Sequence, residues 1–168
     1  MGTIHVAAER VIQASPAIVY GYLADMREHE RFLPPAFSNF AVEEGGVGAG
    51  SVVTFTVTAG GRSRQYRMTI SEPAPETLVE TDANSSLVTT FTVTSRGEDA
   101  LVEIATTWQG AGGVGGLFER RFAPKVMAKL YADELERFAA FVRDRASETA
   151  KVDEADDESF PASDPPTY

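Results

Sequence analysis

The spacing of apolar and polar residues changes character twice along this chain. From Thr3 to Ala14, Ile4, Val6, Ala8 and Ile12 share one face of an extended segment, with Arg10 among them. His5, Glu9 and Gln13 lean to the other face, which predicts a first strand with one side buried. At Ser15-Pro16 the period becomes helical. Ser15 stands as N-cap and Pro16 at the first helical position, and Ile18, Val19, Tyr22, Leu23 and Met26 form the stripe of a short helix. Arg27 to Leu33 predicts a second short helical piece, stopped by Pro34-Pro35.

From Phe37 the period is two again. Phe40 and Val42, then Val53, Phe55 and Val57, then Tyr66, Met68 and Ile70 alternate with polar or small neighbours. Gly45 to Gly50 and Gly60-Gly61 separate these runs, and such glycines reach positive φ cheaply, as tight turns require. Further strands are expected around Thr77 to Asp82, at Leu87, Thr89, Phe91 and Val93, and at Val102, Ile104, Thr106 and Trp108. Turns this short make consecutive strands antiparallel. The last change comes at Leu117 to Arg145. There Phe118, Phe122, Met127, Leu130, Tyr131, Leu135, Phe138, Phe141 and Val142 recur at one helical face, with charges opposite. Pro124 predicts a kink or a fresh start within it. A long amphipathic helix after a run of strands needs a sheet to lie on, so the expected architecture is α+β, a curved antiparallel sheet gripping one helix.

Composition narrows the function classes. The 168 residues carry 43% hydrophobic and 24% charged residues, ordinary values for one globular domain and a tail. There is no cysteine, hence no disulfide, thiol nucleophile or thiolate metal site. The net charge of −10 argues against nucleic acid, which wants a basic face. No signal peptide and no membrane span stand out, so a cytoplasmic protein is expected. Periodicity vanishes after Ser147. Residues 1–147 are therefore expected to form the domain, and residues 148–168, acidic and proline-bearing, a disordered and solubilising tail. No motif sets an oligomeric state.

Three stretches resemble a known superfamily. They are the strand-to-helix entry Val11-Ile12-Gln13-Ala14-Ser15-Pro16-Ala17-Ile18-Val19-Tyr20, the glycine turn Gly45 to Gly50, and Gly112-Gly113-Val114-Gly115-Gly116-Leu117 leading to Leu135-Glu136-Arg137-Phe138. Together they span roughly residues 3 to 146. The chain resembles the START/Bet-v-like (SRPBCC) helix-grip proteins, in their polyketide cyclase/dehydrase branch. The resemblance implies a β-α-α-β6-α order, about seven strands, and an internal pocket between the concave face and the closing helix. Members bind lipids, sterols, polyketides, quinones or hormones; some cyclise polyketides and others activate a chaperone. Fold alone does not choose among these. The expected function is binding of a hydrophobic small molecule, with a cyclase/dehydratase-like enzyme and a protein-interaction module as alternatives, and no catalytic residue is carried over.

The residues expected to line the cavity are Arg10, Phe55, Tyr66, Met68, Phe91, Thr106, Trp108, Phe118, Phe122, Met127 and Tyr131. Simple core packing is the competing reading for the aromatic and methionine set. Thr89, Thr106, Tyr66 and Tyr131 favour a hollow, because a fully packed interior excludes polar atoms. In the enzyme alternative Arg10, Tyr66 or Tyr131 would polarise an enolate. Gly112, Gly113, Gly115 and Gly116 are expected to form a flexible loop at the cavity mouth. Gly110 to Gly115 also spells GxGxxG, but no second parallel strand follows, so no dinucleotide and no other cofactor is expected. His5 and His29 have no second ligand at metal spacing, and no metal is expected. Around His29, the run Arg27 to Glu30 reads as a solvated helix face. His5 and Glu9 read as a solvent-side pair.

Overall fold

The computed structural model describes residues 2–157, without the side chains of residues 114–120, 122 and 155–157. Seven antiparallel strands form one curved sheet: β1 (Thr3–Ile12), β2 (Phe37–Glu44), β3 (Val52–Ala59), β4 (Arg62–Ala74), β5 (Thr77–Asp82), β6 (Val88–Arg96) and β7 (Asp99–Gln109). Their order is β1-β7-β6-β5-β4-β3-β2. Strands β2 to β7 thus follow one another as a meander, and β1 closes the far edge against β7, with Ile4 opposite Trp108 and Ile12 opposite Ala100. Helix α1 (Pro16–Ala24) and a 3-10 turn (His29–Arg31) lie between β1 and β2, and α2 (Gly113–Asp157) ends the described chain. The fold is the expected helix grip, with the second short helix reduced to a single 3-10 turn.

Local chemistry places the elements. Pro16 opens α1 as expected, but Ser15 makes no side-chain cap; its carbonyl accepts from the Val19 N–H at 3.1 Å. Val19 and Leu23 are buried, whereas Ile18, expected on the same stripe, is 54% exposed. The Gly45–Gly50 turn then holds the end of α1: the Met26 N–H donates to Gly46 O and the Gly48 N–H to Ala24 O. Gly48 has φ +62°, a conformation that favours glycine, and a Cβ there would also press on the Glu72 carboxylate. Gly60 and Gly61, at φ 59° and 74°, close the two-residue β3–β4 hairpin between Ala59 and Arg62.

One end of the grip is solid. Ile12, Val19, Leu23, Met26, Phe32, Ile70, Leu78, Val93, Val102, Leu135, Phe138 and Val142 pack there with at most 2% exposure. Helix α2 carries Pro124 without a break in its assigned span. It also runs ten residues past Ser147, which corrects the start of the expected disordered tail. Ser147 Oγ donates to Arg143 O, Thr149 Oγ1 donates to Arg145 O, and Arg145 pairs with Glu148 at 3.5 Å. Helix-compatible charge pairs can continue a helix without an apolar stripe. Residues 158–168 of the expected tail lie outside the described residues.

Candidate functional site

Toward the N-terminal half of α2 the packing opens into a cavity of about 50 Å³ between helix and sheet. Each strand of the sheet's middle sends one face inward. Phe55 comes from β3, Tyr66 and Met68 from β4, Glu80 from β5, and Thr89 and Phe91 from β6. Helix α2 contributes Met127, Leu130, Tyr131 and Glu134, which are the i, i+3, i+4 and i+7 positions of one face. The segment before β2 and β2 itself add His29, Leu33, Phe37 and Phe40. Rings dominate the wall: Phe55 stands 5.6 Å from Tyr66, 5.4 Å from Phe37 and 6.4 Å from Phe40, centroid to centroid.

Of the residues expected at the cavity, Phe55, Tyr66, Met68, Phe91, Met127 and Tyr131 are brought together here. Thr106 lies one layer behind them. It is fully buried and bridges Thr89, at 2.8 Å, and the Tyr131 hydroxyl. Trp108 stands in a second hollow of about 360 Å³, which Arg64, Ser86, Gln109 and Ala111 also line. Tyr66, Leu87 and Met127 border both spaces, so the second hollow, an open vestibule, adjoins the first. The side chains of Phe118 and Phe122 lie outside the described residues.

Two expectations are corrected. Arg10 is exposed and lines a separate open groove with Ala36, Gly60, Lys129, Asp133 and Glu136, not the cavity. On β1 the inward alternation holds at Ile4, Val6 and Ile12, but the wall opens between them, and a long guanidinium reaches water there at little cost. An enolate-polarising role for Arg10 inside the cavity is thereby removed. The glycine loop is also shorter than expected. Gly112 lies in the connection, but Gly113, Gly115 and Gly116 already belong to the first turn of α2, with Gly113 entering at φ +73°.

Three titratable residues of the cavity were not singled out by sequence. His29, expected on a solvated face, is 3% exposed. Its Nε2 donates to the Leu23 carbonyl at 2.6 Å, a direction fixed because a carbonyl only accepts. Burial lowers its pKa to about 4, outweighing the opposing pull of that carbonyl and of Asp25, so the ring is neutral at pH 7. Glu80 and Glu134 are 7% and 4% exposed. Burial lifts Glu80 to about 7. Burial, then the charge of Glu80, then that of Asp133 lift Glu134 to about 8. Tyr131 is raised as well, first by burial. No cluster of three or more His, Asp or Glu among the described residues is arranged to hold a metal ion.

Asp82, two residues beyond Glu80 on the same face of β5, is treated differently. It is 3% exposed, yet it accepts from Ser85 Oγ at 2.6 Å and the Arg67 N–H at 3.3 Å, and lies 3.7 Å from Arg64. Arg64 in turn stacks over the Tyr66 ring at 5.0 Å, fixing one wall of the vestibule.

Comparison with known proteins agrees with this architecture. The family described as polyketide cyclase / dehydrase and lipid transport matches residues 3–143. Among solved structures, the KanY protein (ms6282) is 36% identical over 85% of this chain and 99% of its own, with a TM-score of 0.77. The Zhui aromatase/cyclase from Streptomyces sp. R1128 is 16% identical over 86% and 96%, at 0.68. The major latex-like protein 151 of Panax ginseng is 17% identical over 83% and 97%, at 0.64. The last two share the fold. No curated protein matches the chain. With the helix grip, the walled cavity and a family match over nearly all of the folded residues, this chain belongs to the polyketide cyclase / dehydrase and lipid transport family.

Proposed function

We propose that this chain binds a hydrophobic small molecule, a lipid, polyketide or similar compound, in the cavity between the concave sheet face and α2. One observation carries the reading. The solid packing of the grip stops where Phe37, Phe55, Tyr66, Phe91 and Met127 surround unfilled space beside an open vestibule. Ligand sites are typically concave, largely apolar and marked by a few polar groups, which is this arrangement.

The unfilled space is far below the roughly 300–1,000 Å³ of typical ligand sites. Occupation therefore requires side chains to move. Met127 and Leu130 are half-buried on the helix wall, and methionine swings aside readily because its chain is unbranched and has three rotatable bonds. Titration with the neutral fluorescent probe N-phenyl-1-naphthylamine tests the reading. Saturable enhancement is expected, abolished in Leu87→Trp, which plugs the junction of cavity and vestibule. Absence of saturable binding in the wild-type protein overturns it.

A further inference from the structure

The polar groups of the cavity are unevenly matched. Thr89, Thr106 and Tyr131 satisfy one another. Glu80 and Glu134 have no hydrogen-bond or ion-pair partner among the described residues. Every fully occluded side-chain polar atom there is partnered, so the unpartnered carboxyl oxygens are the ones that look into the open space. Two carboxyls more than nine-tenths buried without a counter-charge are costly. Among the described cavity-lining residues there is no Lys or Arg. The imidazole is no counter-charge either. The single ring proton of neutral His29 is committed to the Leu23 carbonyl, which leaves its other nitrogen an acceptor. Once ionised, the two carboxyls are acceptors with no donor opposite them, and the aromatic faces that stand around them attract cations.

We propose that the cavity is built for an organic cation: an apolar, ring-bearing molecule whose protonated amine sits between Glu80 and Glu134. The proposal rests on the cavity reading above and adds the charge of its occupant. An ammonium supplies up to three N–H donors that the two carboxylates, once ionised, can share, and its charge offsets one of their two negative charges. The apolar remainder lies against Phe37, Phe55 and Phe91. A neutral alcohol of equal size brings one donor and no charge.

Binding of the cation favours ionisation of the carboxyl pair, so it releases protons near neutral pH and tightens as pH rises. The groups facing the pair are Tyr131 and Asp133 from α2, His29 beside the 3-10 turn, and Asp82 with Arg64 toward the β4–β5 edge. Of these, Asp82 is already partnered by Arg64 and Ser85, and His29 stays neutral above about pH 5, close to its lowered pKa of about 4.

The test compares phenethylamine with 2-phenylethanol, a matched cation and neutral probe, by isothermal titration calorimetry at pH 6 and pH 8 in buffers of different ionisation enthalpy. The expected result is an amine preference of about tenfold or more at pH 8, smaller at pH 6, with proton release for the amine only. In Glu80→Gln/Glu134→Gln the preference disappears while the alcohol still binds, which also shows that the variant is folded. Equal binding of the two probes, tighter binding of the alcohol, or an amine preference that survives the double substitution overturns the cation proposal and leaves the cavity reading standing. Failure of both probes to bind overturns the cation proposal, and the cavity reading falls with it only when N-phenyl-1-naphthylamine also fails to bind saturably.

Discussion

The two ends of the grip are made of the same materials and finished differently. At the α1 end, Phe32, Phe138, Leu23 and Leu135 meet with almost no exposure and no charged group among them. At the other end, the same concave face and the same helix stripe carry Glu80, Glu134 and a threonine–tyrosine chain around open space. The acids of β5 repeat the contrast within two residues. Asp82 is buried and partnered, whereas Glu80 is buried and bare. One end is packed to hold the fold, and the other gives up packing and charge compensation that an occupant can restore. Natural proteins keep such local inconsistencies where a site demands them.

Truncation probes this contrast with the largest effect. Phe138→Ala at the solid end is expected to cost about 3–5 kcal/mol and Met26→Ala about 2–5 kcal/mol, because a cavity is left in a dense core. Met127→Ala at the hollow end is expected to cost less than about 1 kcal/mol, since that side chain already borders unfilled space. Urea denaturation measures all three, and similar losses at both ends would break the contrast.

Swapping the acids for their amides is next. Asp82→Asn is expected to lose about 1–3 kcal/mol at pH 8, because an anion gripped by Ser85, the Arg67 N–H and Arg64 is removed. Glu80→Gln is expected to raise stability at pH 8 by about 2 kcal/mol, because a bare buried charge is relieved. Opposite signs from adjacent inward positions of one strand are the signature to look for.

The pH dependence of stability follows from the same pair. Glu80 and Glu134 have folded pKa values of about 7 and about 8, above the ordinary 4.5. The folded state therefore keeps protons that the unfolded chain releases. Their cost is absent below about pH 4.5 and grows as pH rises to the folded values. His29, lowered to about 4 from 6.5, acts oppositely: its contribution is present above 6.5 and is lost as pH falls to about 4. Asp25 and Glu72 are lowered carboxylates whose effect lies below about 4.5. From pH 6.5 to 8 the two glutamates therefore dominate among the described residues, and stability is expected to fall by about 2 kcal/mol. The double Gln variant should flatten that slope, and a flat wild-type curve would contradict the burial argument. Thr106→Val is a smaller change than either acid swap or core truncation. Breaking the bridge between Thr89 and Tyr131 is expected to cost about 1 kcal/mol by thermal melting.

Much of the scaffold was legible because its signals are local. Alternation at Val53-Phe55-Val57 and Tyr66-Met68-Ile70, positive-φ glycines at Gly60-Gly61 and a proline at the first position of α1 each announce one element. The apolar wall of the cavity was legible for the same reason. Its acids were not. A stripe drawn from apolar residues passes over Glu134, although it stands three residues from Tyr131 and seven from Met127. Glu80 shares its face with Leu78, a period-two signal hidden by its charge. His29 sits among Arg27, Glu28, Glu30 and Arg31, and only the tight geometry of a single 3-10 turn sends it inward. Arg10 failed in reverse, since strand alternation aims it at the helix but not at the filled part of the interface. The helix past Ser147 is maintained by charge pairs and hydroxyl bonds that an apolar period does not register.

Methionine methyl NMR tests the central claim most directly, because the methionines divide between the two ends. Met26 lies in the solid end, while Met68 and Met127 line the hollow. With ¹³C-methyl labelling and saturating phenethylamine, the account predicts shifts at Met68 and Met127 and an unmoved Met26. Shifts confined to Met26, or equal at all three, would contradict it.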